Sequence, residues 1–301
     1  MRIAVVLNAG SGRGGGRQAA PRLRELFAAA GCTATVVVAH GGRRLRAAAE
    51  AAVRDGCEAL VGGGGDGTIS LVAGIALEAG LPFGVIPIGT LNHFARDVGI
   101  PLDLDAAAAV IIAGRTRAVD VAEVNGRIFL NNSSIGVYPR LVRLRERYQK
   151  RGMAKWIAAF WAMLAVLRRR PFLAVRVVAD GEPLVRRTPF VLVANNAYRM
   201  AGFGAGERES LSDGRLAVYT MNASGRRSLL WLAWQIFRGR TEEVSELETM
   251  EVTEVEIETR RHALQVALDG EVTGMRGVLR YGIRPAALRV FAPEETEAPA
   301  A

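Results

Sequence analysis

The chain has 301 residues, half of them hydrophobic and 23% charged, and its 39 basic against 30 acidic side chains give a formal charge of +9. That length holds two domains with a sizeable core, and that balance excludes a disordered or fibrous polymer. No apolar run reaches membrane-spanning length without charges, and residues 1–7 are too short an apolar run for a signal peptide, so a cytoplasmic protein that touches a membrane only from outside is expected.

All but two of the basic residues are arginine, the exceptions being Lys150 and Lys155. Two readings stand. One is a composition bias that also explains the abundant Ala and Gly; the other is attraction to an anionic partner, whether nucleotide, nucleic acid or acidic membrane. Cys32 and Cys57 lack metal-ligand spacing and read as buried reduced thiols.

Residues 3–7 form a continuous β-branched apolar run, the pattern of a parallel strand covered on both faces. Asn8-Ala9-Gly10-Ser11-Gly12 then leads into a helix that Gly31 stops. Residues 33–39 read as a strand, 43–54 as a helix and 59–61 as a strand. The stretch Val61-Gly62-Gly63-Gly64-Gly65-Asp66-Gly67-Thr68 separates that strand from an apolar-periodic helix over 69–79. Glycines there let the backbone approach a ligand and aim N–H groups at it, and the following helix N-terminus adds partial positive charge. The loop suits a phosphate. Its one acid, Asp66, makes sense if it handles a Mg2+ that the phosphates share. A fourth strand over 83–86 ends at Pro87-Ile88-Gly89-Thr90, and a helix follows over 105–113. Alternating strands and helices indicate an open parallel α/β sheet, which binds ligands at the carboxyl ends of its strands. Asn8, the Gly-Asp-Gly loop and Gly89-Thr90 all stand at such ends.

From residue 119 the pattern changes. Asn125-Gly126 between two apolar stretches is a hairpin signal. Short strands are expected over 173–178, 190–194, 216–221, 255–257 and 264–268. Residues 250–257 alternate but slip phase at Thr253-Glu254, which predicts a bulge or kink. The pieces 277–281 and 287–291 fit either domain, and the tail 293–301 is expected to fray. Two helices, over 153–167 and 229–237, hold all four tryptophans, Trp156, Trp161, Trp231 and Trp234, flanked by arginines. They either pack on a sheet or form an interfacial patch with Trp in the lipid boundary.

Two known phosphate-binding patterns fit the first glycine loop poorly. Gly10-Ser11-Gly12-Arg13-Gly14-Gly15 has the form of a dinucleotide fingerprint, but the confirming acid after the second strand is replaced by His40-Gly41-Gly42. The same loop lacks the lysine of a Walker A sequence.

Gly63-Gly64-Gly65-Asp66-Gly67-Thr68, followed by Pro87-Ile88-Gly89-Thr90-Leu91-Asn92-His93-Phe94-Ala95-Arg96-Asp97-Val98-Gly99-Ile100-Pro101, resembles the diacylglycerol kinase catalytic-domain family, in its bacterial soluble lipid kinases. The likeness continues through Phe129-Leu130-Asn131 and Ser134-Ile135-Gly136 and returns at Leu211-Ser212-Asp213-Gly214 and Leu268-Asp269-Gly270-Glu271. The resemblance implies α/β plus all-β architecture. An N-terminal open parallel α/β nucleotide-binding domain of the NAD kinase and phosphofructokinase kind covers 1–118 and is completed by 282–296. A C-terminal antiparallel β-sandwich-like lipid-substrate domain covers 119–281, with ATP in the cleft between the two. Two departures stand out: Asn8-Ala9 in place of the usual Asn-Pro, and Glu207-Arg208-Glu209-Ser210 in place of a Pro-containing approach to the Asp-Gly pair.

With that family in view, the expected chemistry is transfer of the ATP γ-phosphate to a lipid hydroxyl such as that of diacylglycerol. The backbone of Gly63, Gly64, Gly65 and Gly67 and the Thr68 hydroxyl hold the phosphates; Asn8, Ser11, Gly89 and Thr90 help; Asp66 organises Mg2+ through them. By resemblance Asp269 matches the general base, with Glu271 in support of it or of the metal. A structural Mg2+ at Asp213, seen in some relatives, is in doubt because of the second departure. Expected partners are the lipid alcohol and an anionic membrane touched transiently, with no nucleic acid and room for a homodimer. Two rivals remain: an NAD kinase-like enzyme, and a non-catalytic nucleotide- or lipid-binding regulator.

Overall fold

The computed structural model describes residues 1–12, 15–149, 153–154, 157, 161, 165, 172–198, 208, 210–221 and 247–294. The chain divides into two units, Met1–Val121 with Pro285–Ala301, and Ala122–Arg284.

The first unit is a parallel sheet. β1 (Arg2–Asn8) lies between β2 (Thr33–Ala39) and β3 (Ala59–Gly63), and β4 (Phe83–Ile86) lies beyond β3, every pair parallel. The last strand, β16 (Leu279–Phe291), joins β4 in parallel through Val290 opposite Phe83. The apolar run 3–7 is buried along its whole length, as a strand with helices over both faces must be. Those helices are α1 (Gly15–Ala29), α2 (Gly42–Arg54), α3 (Asp66–Glu78), α4 (His93–Val98) and α5 (Leu104–Ala113). They seal the sheet with Leu23, Phe27, Leu45, Val72 and Ile111, all nearly or fully buried. Asp103 caps α5 by accepting the Ala106 N–H at 3.0 Å, the ordinary use of a carboxylate at a helix start. Helix α3 begins earlier than apolar periodicity suggests. Gly65 is its N-cap in an extended conformation, so Asp66-Gly67-Thr68 is already its first turn.

The second unit is antiparallel. One sheet runs in the order β12 (Leu247–Val252), β11 (Leu216–Met221), β10 (Phe190–Asn195), β7 (Asn132–Gly136), β14 (Ala263–Leu268) and β15 (Glu271–Arg276). A second layer pairs β13 (Glu254–Thr259) with the start of β16 and with β8 (Leu173–Ala179), and β8 with β9 (Glu182–Thr188). Ile135, Val193, Val218 and Val266 from the first sheet share one core with Val175, Val177, Val255 and Ile257 from the second, the interior of a sandwich. The hairpin of β5 (Thr116–Val124) and β6 (Arg127–Phe129) turns at Asn125-Gly126, both with positive φ, as a two-residue turn of the type I′ kind needs.

Three sequence expectations change here. The phase slip at Thr253-Glu254 is not a bulge: β12 and β13 belong to different sheets, and Thr253 is where the chain crosses over. Asp180 fixes that crossing by accepting the N–H groups of Thr253 and Glu254, and these bonds hold its carboxyl below the usual range. The pieces 277–281 and 287–291 are one strand, β16, bent where Ala286 takes φ 51° and donates its N–H to Asp120 at 2.7 Å. The cysteines are unpaired but half-buried rather than buried. Helix α6 (Val137–Gln149) was not anticipated, because its arginines obscure its periodicity. Of the helix expected over 153–167 only residues 153, 154, 157, 161 and 165 are described, with Trp161 46% exposed. The helix expected over 229–237 and the tail beyond 294 lie outside the described residues.

Gly136 ends β7 at φ 101°, and a Cβ there would stand 2.2 Å from the carbonyl oxygen of Pro189. Gly136→Ala is therefore expected to lower the unfolding free energy by roughly 2–4 kcal/mol, read from urea denaturation.

Candidate functional site

In the first unit the loops after β1, β3 and β4 meet. The Asn8 side chain donates to the Thr68 hydroxyl at 2.9 Å and accepts the Gly10 N–H at 2.9 Å, so it joins the β1 loop to the first turn of α3. Asn92, buried with φ 53°, ties the β4 loop: its Oδ1 accepts the Gly89 N–H, and its Nδ2 donates to the carbonyls of Pro87 and Gly89. Asp66 Oδ1 accepts the Phe94 N–H at 3.3 Å and so spans from the start of α3 to the start of α4.

Most of the glycines here answer to packing. A Cβ on Gly89 would lie 2.4 Å from Gly65 Cα, one on Gly64 2.6 Å from Thr68 Cβ, and one on Gly63 2.2 Å from a Leu7 methyl. Gly65 is different. Its φ of −85° suits any residue, and a Cβ would meet nothing closer than 3.9 Å. The space beside Gly65 is left open at the N-terminus of α3, where Asp66 and Gly67 carry N–H groups with no intrahelical acceptor. That is the geometry of an anion cradle. Ser11, in the loop after β1, is buried, its carbonyl accepting the Gly15 N–H, and Thr90 is exposed. His93, which opens α4, is half-buried.

In the second unit Asp269 and Gly270 make the two-residue turn between β14 and β15, with φ values of 44° and 86°. An Asp-Gly turn of this kind is ordinarily exposed. Here Asp269 is 9% exposed, and its carboxylate points back into the unit. Oδ2 accepts the Leu130 N–H at 2.8 Å; Oδ1 accepts those of Asn131 at 2.8 Å and Asn132 at 3.0 Å. All three are donors presented to an acceptor, as an ionised carboxylate takes them. Glu271 opens β15 and is exposed. Asp213 is exposed in the turn before β11. Among the described residues no three His, Cys, Asp or Glu side chains gather to hold a metal.

Sequence reasoning missed Arg208. Its buried guanidinium donates to the Leu130 carbonyl at 2.6 Å, to the Asn195 carbonyl at 3.0 Å and to the Asn131 side-chain oxygen at 3.1 Å. The peptide joining Leu130 to Asn131 is thus held from both ends, its oxygen on a cation and its N–H on the Asp269 carboxylate. Each bond polarises the amide in the sense that strengthens the other. Nothing in the sequence marks this role: an arginine between Glu207 and Glu209 reads as surface. Asn92 was legible as part of a motif but not as the strut of the β4 loop.

Comparison with known proteins finds family matches in both units. Residues 2–124 match the diacylglycerol kinase catalytic domain, and residues 134–292 match the YegS C-terminal NAD kinase beta sandwich-like domain. The chain is 29% identical over 284 residues to the diacylglycerol kinase of Bacillus subtilis, covering 91% of each. It is 27% identical over 263 residues to an uncharacterized protein of Synechocystis, covering 84% of this chain and spanning 59% of that relative's length. A crystal structure of a diacylglycerol kinase from Bacillus anthracis superposes with a TM-score of 0.69 over 97% of each chain, at 17% identity, a likeness of fold alone. Two domain models matched in order over nearly the whole chain place it in the diacylglycerol kinase catalytic-domain family, among the diacylglycerol kinase-like lipid kinases.

Proposed function

We propose that the chain is an ATP-dependent kinase that transfers the γ-phosphate to the hydroxyl of a lipid alcohol such as diacylglycerol, giving a phospholipid such as phosphatidic acid. The observation that carries this reading is Gly65, a glycine with no conformational or packing reason to be one, at the mouth of a helix N-terminus. A side chain there would obstruct a phosphate and nothing else.

Transfer to an alcohol needs held phosphates, charge neutralisation and a proton acceptor. The N–H groups of Asp66 and Gly67 would hold phosphate oxygens, with Asn8 keeping the Thr68 hydroxyl in place beside them. Bound Mg2+ would neutralise charge on the phosphates, and the Asp66 carboxylate beside the loop, with no cluster of three metal ligands among the described residues, fits an ion held mostly by those phosphates. Asp269 would take the proton of the lipid hydroxyl, with three main-chain donors keeping its carboxylate in one orientation and Glu271 in support. Substrate of this kind sets the enzyme at an anionic membrane surface on its cytoplasmic side. The three donors also favour a second reading, in which Asp269 is only a strut for the 130–132 turn.

Turnover measured together with stability separates the two. Asp269→Asn turns an amide N–H2 toward a main-chain donor, so some loss of stability is expected in either case. If Asp269 is the base, label transfer from γ-labelled ATP to diacylglycerol should fall roughly a hundred- to ten-thousand-fold with ATP affinity unchanged. Turnover that survives in the folded fraction would make it a strut. Gly65→Ala should keep stability within about 1 kcal/mol and weaken ATP binding about tenfold in a titration. Arg208→Met should cost roughly 1.5–3 kcal/mol in urea unfolding through lost charged hydrogen bonds. In the Asp269→Asn background it should lower the residual turnover no further, since groups acting as one unit are not additive.

A further inference from the structure

A groove of about 600 Å3 opens on the second unit between α6, the start of β8 and the start of β14. Arg140, Arg143, Leu144 and Arg147 of α6 line one side of it, at the i, i+3, i+4, i+7 spacing of a single helix face. On a helix packed against a sheet, that face is normally apolar. Arg261 stands across from it, and Leu173 and Leu264, both nearly buried, are apolar parts of its wall. Among the described residues no acidic side chain lines it, and none of the four guanidinium groups makes a hydrogen bond or ion pair. The sequence from 147 to 171 contains no Asp or Glu, and α6 itself has one acid, Glu146.

Composition bias alone does not account for this. Elsewhere in the same unit arginines are matched to acids: Arg176 to Glu258, Arg186 to Glu248, Arg280 to Glu256 and Arg284 to Glu123. A second groove, at the Asn125 hairpin, is lined by two members of such pairs, Glu123 and Arg280. The α6 groove lacks that compensation and combines like charges with an apolar wall.

We propose that this groove binds an anionic amphiphile, a phosphate monoester on an alkyl chain. The phosphate would sit between Arg143, Arg147 and Arg261, where planar guanidinium forks meet phosphate oxygens in pairs. The alkyl chain would lie along Leu144, Leu173 and Leu264. The volume is that of a small-molecule site rather than of a macromolecular interface. The proposal goes beyond the kinase reading: the ligand has the chemistry of that reaction's product rather than of its neutral acceptor, it is placed in a groove of its own, and its binding is measured without turnover.

The test is equilibrium binding of dodecyl phosphate, kept below its micelle concentration, to the full chain, with inorganic phosphate and dodecanol as comparisons. Dodecyl phosphate should bind one to one, more weakly as salt is raised, and at least about tenfold more tightly than either comparison. Arg143→Ala with Arg147→Ala, both at exposed positions, should weaken it about tenfold or more, with circular dichroism unchanged. Arg54→Ala, on an exposed face of the first unit, should have no effect. Inorganic phosphate binding as tightly as dodecyl phosphate would overturn the amphiphile assignment, and equal binding by the double variant would overturn the location. Binding to vesicles containing phosphatidylglycerol without binding of the dispersed ligand would replace the groove by plain adsorption to a charged surface.

Discussion

Three main-chain N–H groups converge on one carboxylate in the second unit, and much of its central sheet is arranged to allow it. Residues 130–132 can aim their donors at Asp269 only because β7 runs antiparallel to β14 with Ser133 opposite Leu268. The β14–β15 turn brings Asp269 back over that junction only because Asp269 and Gly270 both accept positive φ. Arg208 closes the arrangement from the carbonyl side. Removing any of these leaves buried polar groups without partners, a larger loss than the bonds' modest net contribution suggests. The carboxylate is therefore a constraint on the fold first. In the proposed transfer a base so held would not swing, and it would meet the hydroxyl in one fixed orientation.

The first unit separates packing from recognition in the same loop. Gly63, Gly64 and Gly89 are small because β1, α3 and the neighbouring loop leave no room. Their presence would follow from the fold even in a protein with no ligand. Gly65 does not follow from the fold, so of the run of four glycines it alone points to a phosphate. The acid beside it has likewise acquired a structural partner. Asp66 joins two helix starts, and that bond orients the carboxylate while leaving Oδ2 without a hydrogen bond among the described residues.

The parallel sheet was legible because its strands are continuous apolar runs separated by glycine stops, and 3–7 shows why: a strand covered on both faces has no polar positions to confuse its reading. The Asn125-Gly126 turn was legible for an equally local reason. What sequence did not show was partnership at long range. The slip at Thr253 reads the same whether a strand bulges or changes sheets, and only the positions of β8 and β11 decide between them. Glu182–Thr188 was missed as a strand because it is an edge with much of its length exposed, so burial imposes little alternation on it. Arg208 is the sharpest case: three of its acceptors are supplied by residues from 13 to 78 positions away. Motif resemblance found Asp269 but carried no hint of what holds it.

Arginine usage shows how structure decides a question that composition leaves open. A bias toward arginine puts the residue everywhere, and on the sheet surfaces it is neutralised in place: Glu258 lies directly opposite Arg176 across β13 and β8, and Glu256 opposite Arg280 across β13 and β16. Exposed pairs of this kind contribute about 0–1 kcal/mol each, so their main effect is on the electrostatic field rather than on stability. Cancelling charge over the sheets leaves the field of the second unit to the residues that are not cancelled. Those on α6 share one helix face, so their potentials add instead of averaging out. On α6, then, positive charge that looked diffuse in the sequence gathers on one helix face beside the groove.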